Sequence, residues 1–433
     1  MLKDFSNGQR NPWQLWIMAV AAGPAPEVFS VELRDLRADE RDKLIDHWVI
    51  AYQNDALRER AERALYDDTT LELAQIKVIV EDDEIVSAVR VANRPVRIGG
   101  IRVEMGGIGG VSTLPEYRSR GYSTRLLQAQ ITYMQQQGYD ISMLFSGLIG
   151  FYRRVGWDCF PLHSCCVPVP KTLRAPAPRS PYTVRQYEQA TDLPQVTRCY
   201  DEYNAYKALA MVRHPEYWQD KHAQFLGCRP WLVALKDGEV CAYVSGSPKA
   251  ISEACCRDGH VQAFVALADA TLTAAMEAEV EALECWIPFS HPLLAVFGEM
   301  LDERITHSVH ESMMLRVINL RSLFEKLIPV LNTRLQQAGL AVSQPLTVSF
   351  DQVGQKATLR IHGPEAMICD DQPELPLDIS GREFFLLACG AATIDELVEI
   401  LTLRGIGIPA QYRKLLRILF PKQESVYYGC DHF

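Results

Sequence analysis

Residues 103–137 constrain the fold of this 433-residue chain more than any other segment. A strand-like run carrying Gly106-Gly107 and Gly109-Gly110 leads into Glu116-Tyr117-Arg118-Ser119-Arg120-Gly121-Tyr122-Ser123, and a helix-like run follows. A strand that reaches a helix through a basic, glycine-containing loop turns the unpaired amides of the first helical turn toward an anion. The helix dipole favours negative charge at the same point. Gly121 has no Cβ and lets the backbone come close to a ligand. Arg118 and Arg120 supply charge and forked donors. Together these features read as a cradle for pyrophosphate.

The elements around the cradle follow from periodicity. Residues 34–66 read as helical, without an internal proline. Residues 75–80 and 85–92 form a hairpin pattern about the polar turn 81–84. Residues 98–113 read as strand, with the glycines marking a bulge or splay. On the helix after the loop, Leu127, Ile131 and Met134 share a face, and Gly138 stops it. A short buried strand over 141–145 and a glycine-bounded short helix over 146–156 come next.

A proline-rich stretch, 168–181, reads as a linker. Beyond it the order recurs: helix 193–210, hairpin 231–234 and 240–244 about Asp237-Gly238, strand 259–266, helix 268–283 and strand 285–288. In this repeat the loop position falls on Ala266-Leu267-Ala268-Asp269-Ala270-Thr271, which has neither Gly nor Arg. The repeat is therefore expected to be a degenerate copy without a cofactor. A third unit starts near Asn319, with helix 320–331, strands 346–350 and 357–361, and helices 381–389, 394–401 and 411–420. The resulting class is α+β with mixed sheets. The expected boundaries are 1–28 for a poorly ordered leader, 29–168, the linker 169–181, 182–316 and 317–433.

Composition narrows the function classes. A net charge of −10 argues against general nucleic-acid binding and suits a cationic partner. Twelve cysteines include no Cys-x-x-Cys and no Cys/His zinc spacing, so free thiols in a reducing cytosol and no metal are expected. The apolar run 13–22 has the outline of a signal peptide but is too short to span a bilayer.

Arg118-Ser119-Arg120-Gly121-Tyr122-Ser123 resembles the R/Q-x-x-G-x-G/A loop of the Gcn5-related N-acetyltransferase (GNAT) superfamily, with Ser123 in place of the last small residue. The lead-in Gly110-Val111-Ser112-Thr113-Leu114-Pro115 and the later Gly150-Phe151-Tyr152-Arg153-Arg154-Val155-Gly156-Trp157 make the likeness more specific. With a degenerate second unit and a third unit ending in an aromatic residue, the chain resembles the enhanced-intracellular-survival (Eis-type) acetyltransferases. That family has tandem GNAT-like domains followed by a domain like a sterol carrier protein.

The resemblance implies acetyl-CoA as co-substrate and a small cationic amine, aminoglycoside-like or polyamine-like, as acceptor. It also implies a cytoplasmic homo-hexamer. It places Val111, Ser112 and Thr113 along the pantetheine arm. Ser119, Gly121, Tyr122, Ser123 and Thr124 fall at the pyrophosphate, with charge from Arg118 and Arg120, and Gly147 and Leu148 in a cofactor-contacting turn. Tyr152 takes the position of the general acid, and Phe433 that of the general base through its terminal carboxylate. These roles suit the chemistry: a leaving thiolate needs a proton, and an attacking amine must lose one. A lysine or peptide acceptor, and a lipid- or sterol-binding carrier with scaffolding units, are the alternative readings.

Overall fold

The computed structural model describes residues 31–171, 180–220, 229–340 and 342–433. The expected leader and residues 172–179 of the expected linker lie outside them.

The first unit contains β1 (Glu32–Asp35), α1 (Arg41–Tyr52), α2 (Leu57–Glu62), β2 (Ile76–Glu81), β3 (Glu84–Asn93), β4 (Val96–Ile98), β5 (Ile101–Val103) and β6 (Met105–Thr113). It continues with α3 (Tyr122–Gln136), β7 (Ile141–Phe145), α4 (Ile149–Arg153) and β8 (Asp158–Pro168). The β2–β3 hairpin turns at Asp82 and Asp83, with φ of 51° and 62°, the left-handed pair a two-residue turn requires. The helical reading of residues 34–66 needs correction at its start. Glu32–Asp35 is a strand, paired antiparallel with β2, with Leu33 packed against the core of the first unit.

The second unit runs β9 (Thr183–Gln186), α5 (Gln189–Asn204), β10 (Pro230–Lys236), β11 (Glu239–Ser247), β12 (Ala250–Cys256), α6 (Ala263–Glu277), β13 (Ala282–Cys285), α7 (Pro292–Met300) and β14 (Thr306–Val317). The expected strand at 259–266 is instead the start of α6, and the strand before that helix is β12. Its Ala-Ile-Ser-Glu-Ala-Cys-Cys composition carries a weak strand signal, because small residues and a buried Glu break the apolar run.

The two units do not form separate sheets. One twelve-stranded sheet runs β1-β2-β3-β6-β7-β14-β8-β13-β12-β11-β10-β9. Each half repeats the same meander, and each gives its last strand to the other. β14 of the second unit pairs with β7 of the first, and β8 of the first pairs with β13 of the second. The boundary drawn at residue 168 thus separates sequence repeats but not hydrogen-bonded sheets.

The third unit has α8 (Leu320–Gln337), β15 (Val342–Gln352), β16 (Gln355–Gly363), β17 (Glu365–Cys369), β18 (Leu375–Leu377), α9 (Gly381–Ala388), α10 (Ile394–Leu403) and α11 (Ala410–Leu419). Its four strands form a second sheet, β17-β16-β15-β18. Its interior is continuous with the centre of the large sheet through Met143, Phe160, Met313 and Leu315. Phe350 lies 5.0 Å from Phe324, 6.0 Å from Phe384 and 5.9 Å from Phe420, centroid to centroid. Side chains fill this space. Asp140, fully buried, fastens α8 to the first unit through the Ser322 hydroxyl (2.7 Å) and the Lys326 ammonium (2.5 Å).

Phe350→Ala is expected to cost about 3–5 kcal/mol, because three aromatic neighbours lose their partner and cannot close the gap. Chemical denaturation of the two proteins measures it.

Candidate active site

β6 and β7 run parallel but stay paired only from Met105–Ile141 to Ile108–Leu144. Past Ile108 the strands part, and the β7-facing side of β6 has no strand partner. β6 also carries one extra residue between Gly109 and Ser112, opposite Ala88–Arg90 of β3. Gly110 takes φ +61° there, so the strand bulges where it splays. The Gly110 carbonyl accepts from the Trp48 indole at 3.0 Å.

The glycines have a second purpose that periodicity did not reveal. A β-carbon on Gly107 would lie 2.5 Å from the Phe433 ring, and one on Gly109 would lie 3.4 Å from the terminal carboxyl carbon. Alternate positions on a strand share a face, so Gly107 and Gly109 form a slot for the chain terminus. The tail is held by its own aromatics. His432 stacks on Phe145 at 3.9 Å, Phe433 lies 5.7 Å from Phe145, and the Tyr427 hydroxyl donates to the Asp431 carbonyl at 2.7 Å.

The loop before α3 has two left-handed residues, Ser119 (φ +65°) and Gly121 (φ +78°). Gly121 sits at the helix N-cap and no side chain caps the first turn, so the amides of Tyr122, Ser123 and Thr124 face outward. A cavity of about 600 Å³ opens between this loop, the splayed end of β6 and α4. Val111, Ser112, Thr113, Arg118, Ser119, Gly121, Tyr122, Ser123, Thr124, Leu148 and Tyr152 all line it.

Two expected residues sit differently. Arg120 is drawn away from the cavity: its guanidinium pairs with Glu81 at 3.1 Å and lies 4.7 Å over the Tyr117 ring. Glu81 also accepts from the Tyr122 hydroxyl at 2.7 Å, so a nearby acid claims this cation. Arg118, which lines the cavity, donates to the carbonyl oxygens of Ala51 (2.8 Å) and Thr113 (3.3 Å) and has no acidic partner among the described residues. Gly147 does not line the cavity, although Leu148 beside it does. Ser112 lines the cavity, and its hydroxyl meets His47 Nε2 at 2.9 Å, tying β6 to α1. Thr113 and Ser123 join hydroxyls at 2.9 Å, tying the strand to the helix.

Tyr152 is 6% exposed and meets Phe151 and Trp157 edge-on. Burial pushes its hydroxyl up to about 12, partly offset by Ser146. It therefore holds its proton at neutral pH. His432 lies beside the terminus. Its Nε2 is buried without a hydrogen-bond partner among the described residues, and burial lowers the ring to about 4, so it is neutral. No periodic pattern marks such a residue.

In the second unit the described residues close the corresponding loop to an anion in a way the sequence did not suggest. The loop preceding α6 is 257–262, not 266–271, and it contains both Arg257 and Gly259. Arg257 is paired with Glu239 at 2.9 Å, and the Asp258 amide donates to the Glu202 carboxylate at 3.0 Å. The protein's own acids occupy the groups an anion would use. β12 and β13 pair only at Ala250–Glu284 and Ile251–Cys285 before parting, and the tail packs into that opening, with Cys430 Sγ 3.8 Å from Glu253.

His47 is buried between the Ile85 carbonyl (2.7 Å) and Ser112, and burial lowers it from 6.5 to about 4. Between those values the unfolded chain binds a proton that the folded chain refuses. Stability is therefore expected to fall as pH drops through that window, by about 1.4 kcal/mol per unit for each such proton. Urea titrations from pH 7 to 4 measure the slope, and His47→Gln is expected to flatten it.

Residues 32–160 match the model of the acetyltransferase (GNAT) domain. No curated protein matched the chain. Among solved structures, a GCN5-related N-acetyltransferase from Anabaena variabilis superimposes with a TM-score of 0.69 at 15% identity, over 93% of this chain and 100% of that one. A conserved protein of unknown function from Enterococcus faecalis V583 gives 0.68 at 17% identity, over 92% and 98%. Eis1 from Mycobacterium abscessus gives 0.63 at 14% identity, over 92% and 99%. At these identities the superpositions establish a shared fold along nearly the whole chain. No helix among the described residues is long and apolar enough to cross a membrane. With the uncapped helix, the splayed strand and the domain match in agreement, residues 32–160 are a GNAT acetyltransferase domain and the protein is an acetyl-CoA-dependent acetyltransferase.

Proposed function

We propose that the protein transfers acetyl from acetyl-CoA to a primary amine of a small cationic substrate, in the manner of the Eis-type enzymes. The observation that carries this reading is the meeting of the terminal carboxylate with the splayed strand at Gly109. The proposed domain plan is the Eis-type one, with GNAT-like units at 29–168 and 182–316 and a sterol-carrier-like unit at 317–433. A cytoplasmic homo-hexamer belongs to the same reading.

Acetyl-CoA, when bound, supplies the activated acyl group and a thiolate leaving group. Arg118 and the amides of Ser119 and Gly121 to Thr124 would hold its pyrophosphate. The strand amides near Val111 would meet the pantetheine arm and polarise the thioester carbonyl. The Phe433 carboxylate takes the proton from the amine as its nitrogen bonds to the acetyl carbon. As the carbon–sulfur bond breaks, the Tyr152 hydroxyl gives its proton to the departing thiolate. Solvent exchange then restores both groups. A phenol that keeps its proton to about pH 12 suits a donor. The carrier alternative gains no support from the third unit, whose Phe324, Phe350, Phe384 and Phe420 fill its interior.

Tyr152→Phe is expected to lower kcat by ~10²-fold or more while the KM for acetyl-CoA changes little. Near-normal turnover would remove Tyr152 from its role. Residues added after Phe433 should also depress kcat without lowering the melting temperature. A thiol-release screen of aminoglycosides, polyamines and lysine peptides assigns the acceptor, and turnover only with peptides would refute the small-amine reading.

A further inference from the structure

Arg213 lies in the second unit, distant in sequence from every residue of the proposed chemistry. Its side chain is fully buried, as are those of Glu253 and Asp431. The guanidinium makes a two-pronged contact with Asp431, Nε to Oδ1 at 2.9 Å and Nη2 to Oδ2 at 2.9 Å. It makes a second fork with Glu253, at 3.1 and 2.5 Å. The rings of Tyr200 and Trp218 cover it at 4.0 and 4.7 Å. Tyr243 donates its hydroxyl to Glu253. Glu253, Cys430 and Asp431 converge within 4.8 Å, a spacing that would suit a metal ion, but the cation held among them is Arg213.

The position of this cluster is informative. Glu253 stands on β12 two residues beyond Ile251, where that strand parts from β13. Gly110 stands two residues beyond Ile108, where β6 parts from β7. The two openings are equivalent places in the repeat. One keeps glycines and an open cavity. The other holds a buried acid and an arginine, and receives the chain's own tail. From Asp431 only two residues separate this socket from the terminal carboxylate at Gly109. A planar fork between Arg and a carboxylate fixes direction as well as distance.

We infer that the second unit's opening has become a socket that sets the position of the terminal carboxylate, with Arg213 and Asp431 as positioning residues. This inference rests on the proposed base role of Phe433. It gives the degenerate repeat a task in the reaction, since the Arg257 guanidinium and Asp258 amide of its loop are already held by Glu239 and Glu202. A side chain that only stabilised the fold would not need to aim the last two residues. A carboxylate displaced by about one residue, ~3.5 Å along an extended chain, can no longer reach the amine.

The test inserts one glycine between Asp431 and His432, which leaves the Arg213 fork intact and shifts His432 and Phe433, and with them the carboxylate. The expected result is a ~10²-fold fall in kcat, with the KM for acetyl-CoA and the melting temperature unchanged. Asp431→Asn, which breaks the fork, should likewise lower kcat and leave the KM for acetyl-CoA unchanged. If the insertion keeps kcat within about twofold while residues added after Phe433 abolish turnover, the positioning role is wrong and the carboxylate role stands. If chains extended past Phe433 also keep full kcat, both are wrong.

Discussion

The parting of β6 from β7 beyond Ile108 is the constraint on which the rest of the site depends. Two strands that stay paired satisfy each other's amides and leave nothing for a ligand. Where they separate, backbone donors need another partner, and an unpaired buried amide is expensive. The protein meets this need in two ways. On one side it opens a cavity against the loop before α3. On the other it lays the chain terminus into a slot cleared by Gly107 and Gly109. Glycine is required at Gly107, where a β-carbon would lie 2.5 Å from the Phe433 ring, whereas at Gly109 a β-carbon would come into ordinary contact with the carboxyl at 3.4 Å.

The exchange of β8 and β14 gives that parting its context. β7 cannot pair with its own unit's last strand, since β14 lies between them. The second unit is thereby locked against the first through a continuous sheet rather than a surface contact. The same arrangement brings Arg213 and β12 close enough for the tail to bridge both openings. Isolated bridges from Val96 to Met211 and from Ala208 to Ser425 add to this link. In the second repeat Glu239 pairs with Arg257 and Glu202 accepts from the Asp258 amide, while the tail packs beside Glu253.

Local chemistry explains which parts could be read from the residues. The hairpin at Asp82-Asp83, the helix α3, the strand β7 and the helices of the third unit are strongly patterned, and each lies close to where periodicity puts it. The loop before α3 is legible because anion binding at a helix start uses consecutive residues. Tyr152 stands out for its glycine-bounded aromatic setting. Three things were not legible. Arg118 and Arg120 look alike in sequence, and only the placement of Glu81 separates them. β12, with its small residues and Glu253, carries no strand signal, which shifted the comparison of the two loops onto the middle of a helix. The isolated His432 ring takes its character from Phe145 and from burial, neither of which is adjacent in the chain.

The residues by themselves determined the class of the fold, the repeat of a hairpin–strand–helix–strand unit, and a basic, glycine-containing loop opening a helix in the first copy. These depend on neighbours a few positions apart, where side-chain period and turn chemistry act directly. Only the tertiary structure decided that the two copies share one sheet, that the glycines of β6 make room for the tail, and that Phe433 ends at Gly109. Those outcomes rest on contacts between residues hundreds of positions apart, such as Arg213 with Asp431. Their energy comes from burial and charge pairing that exist only once the chain has closed on itself.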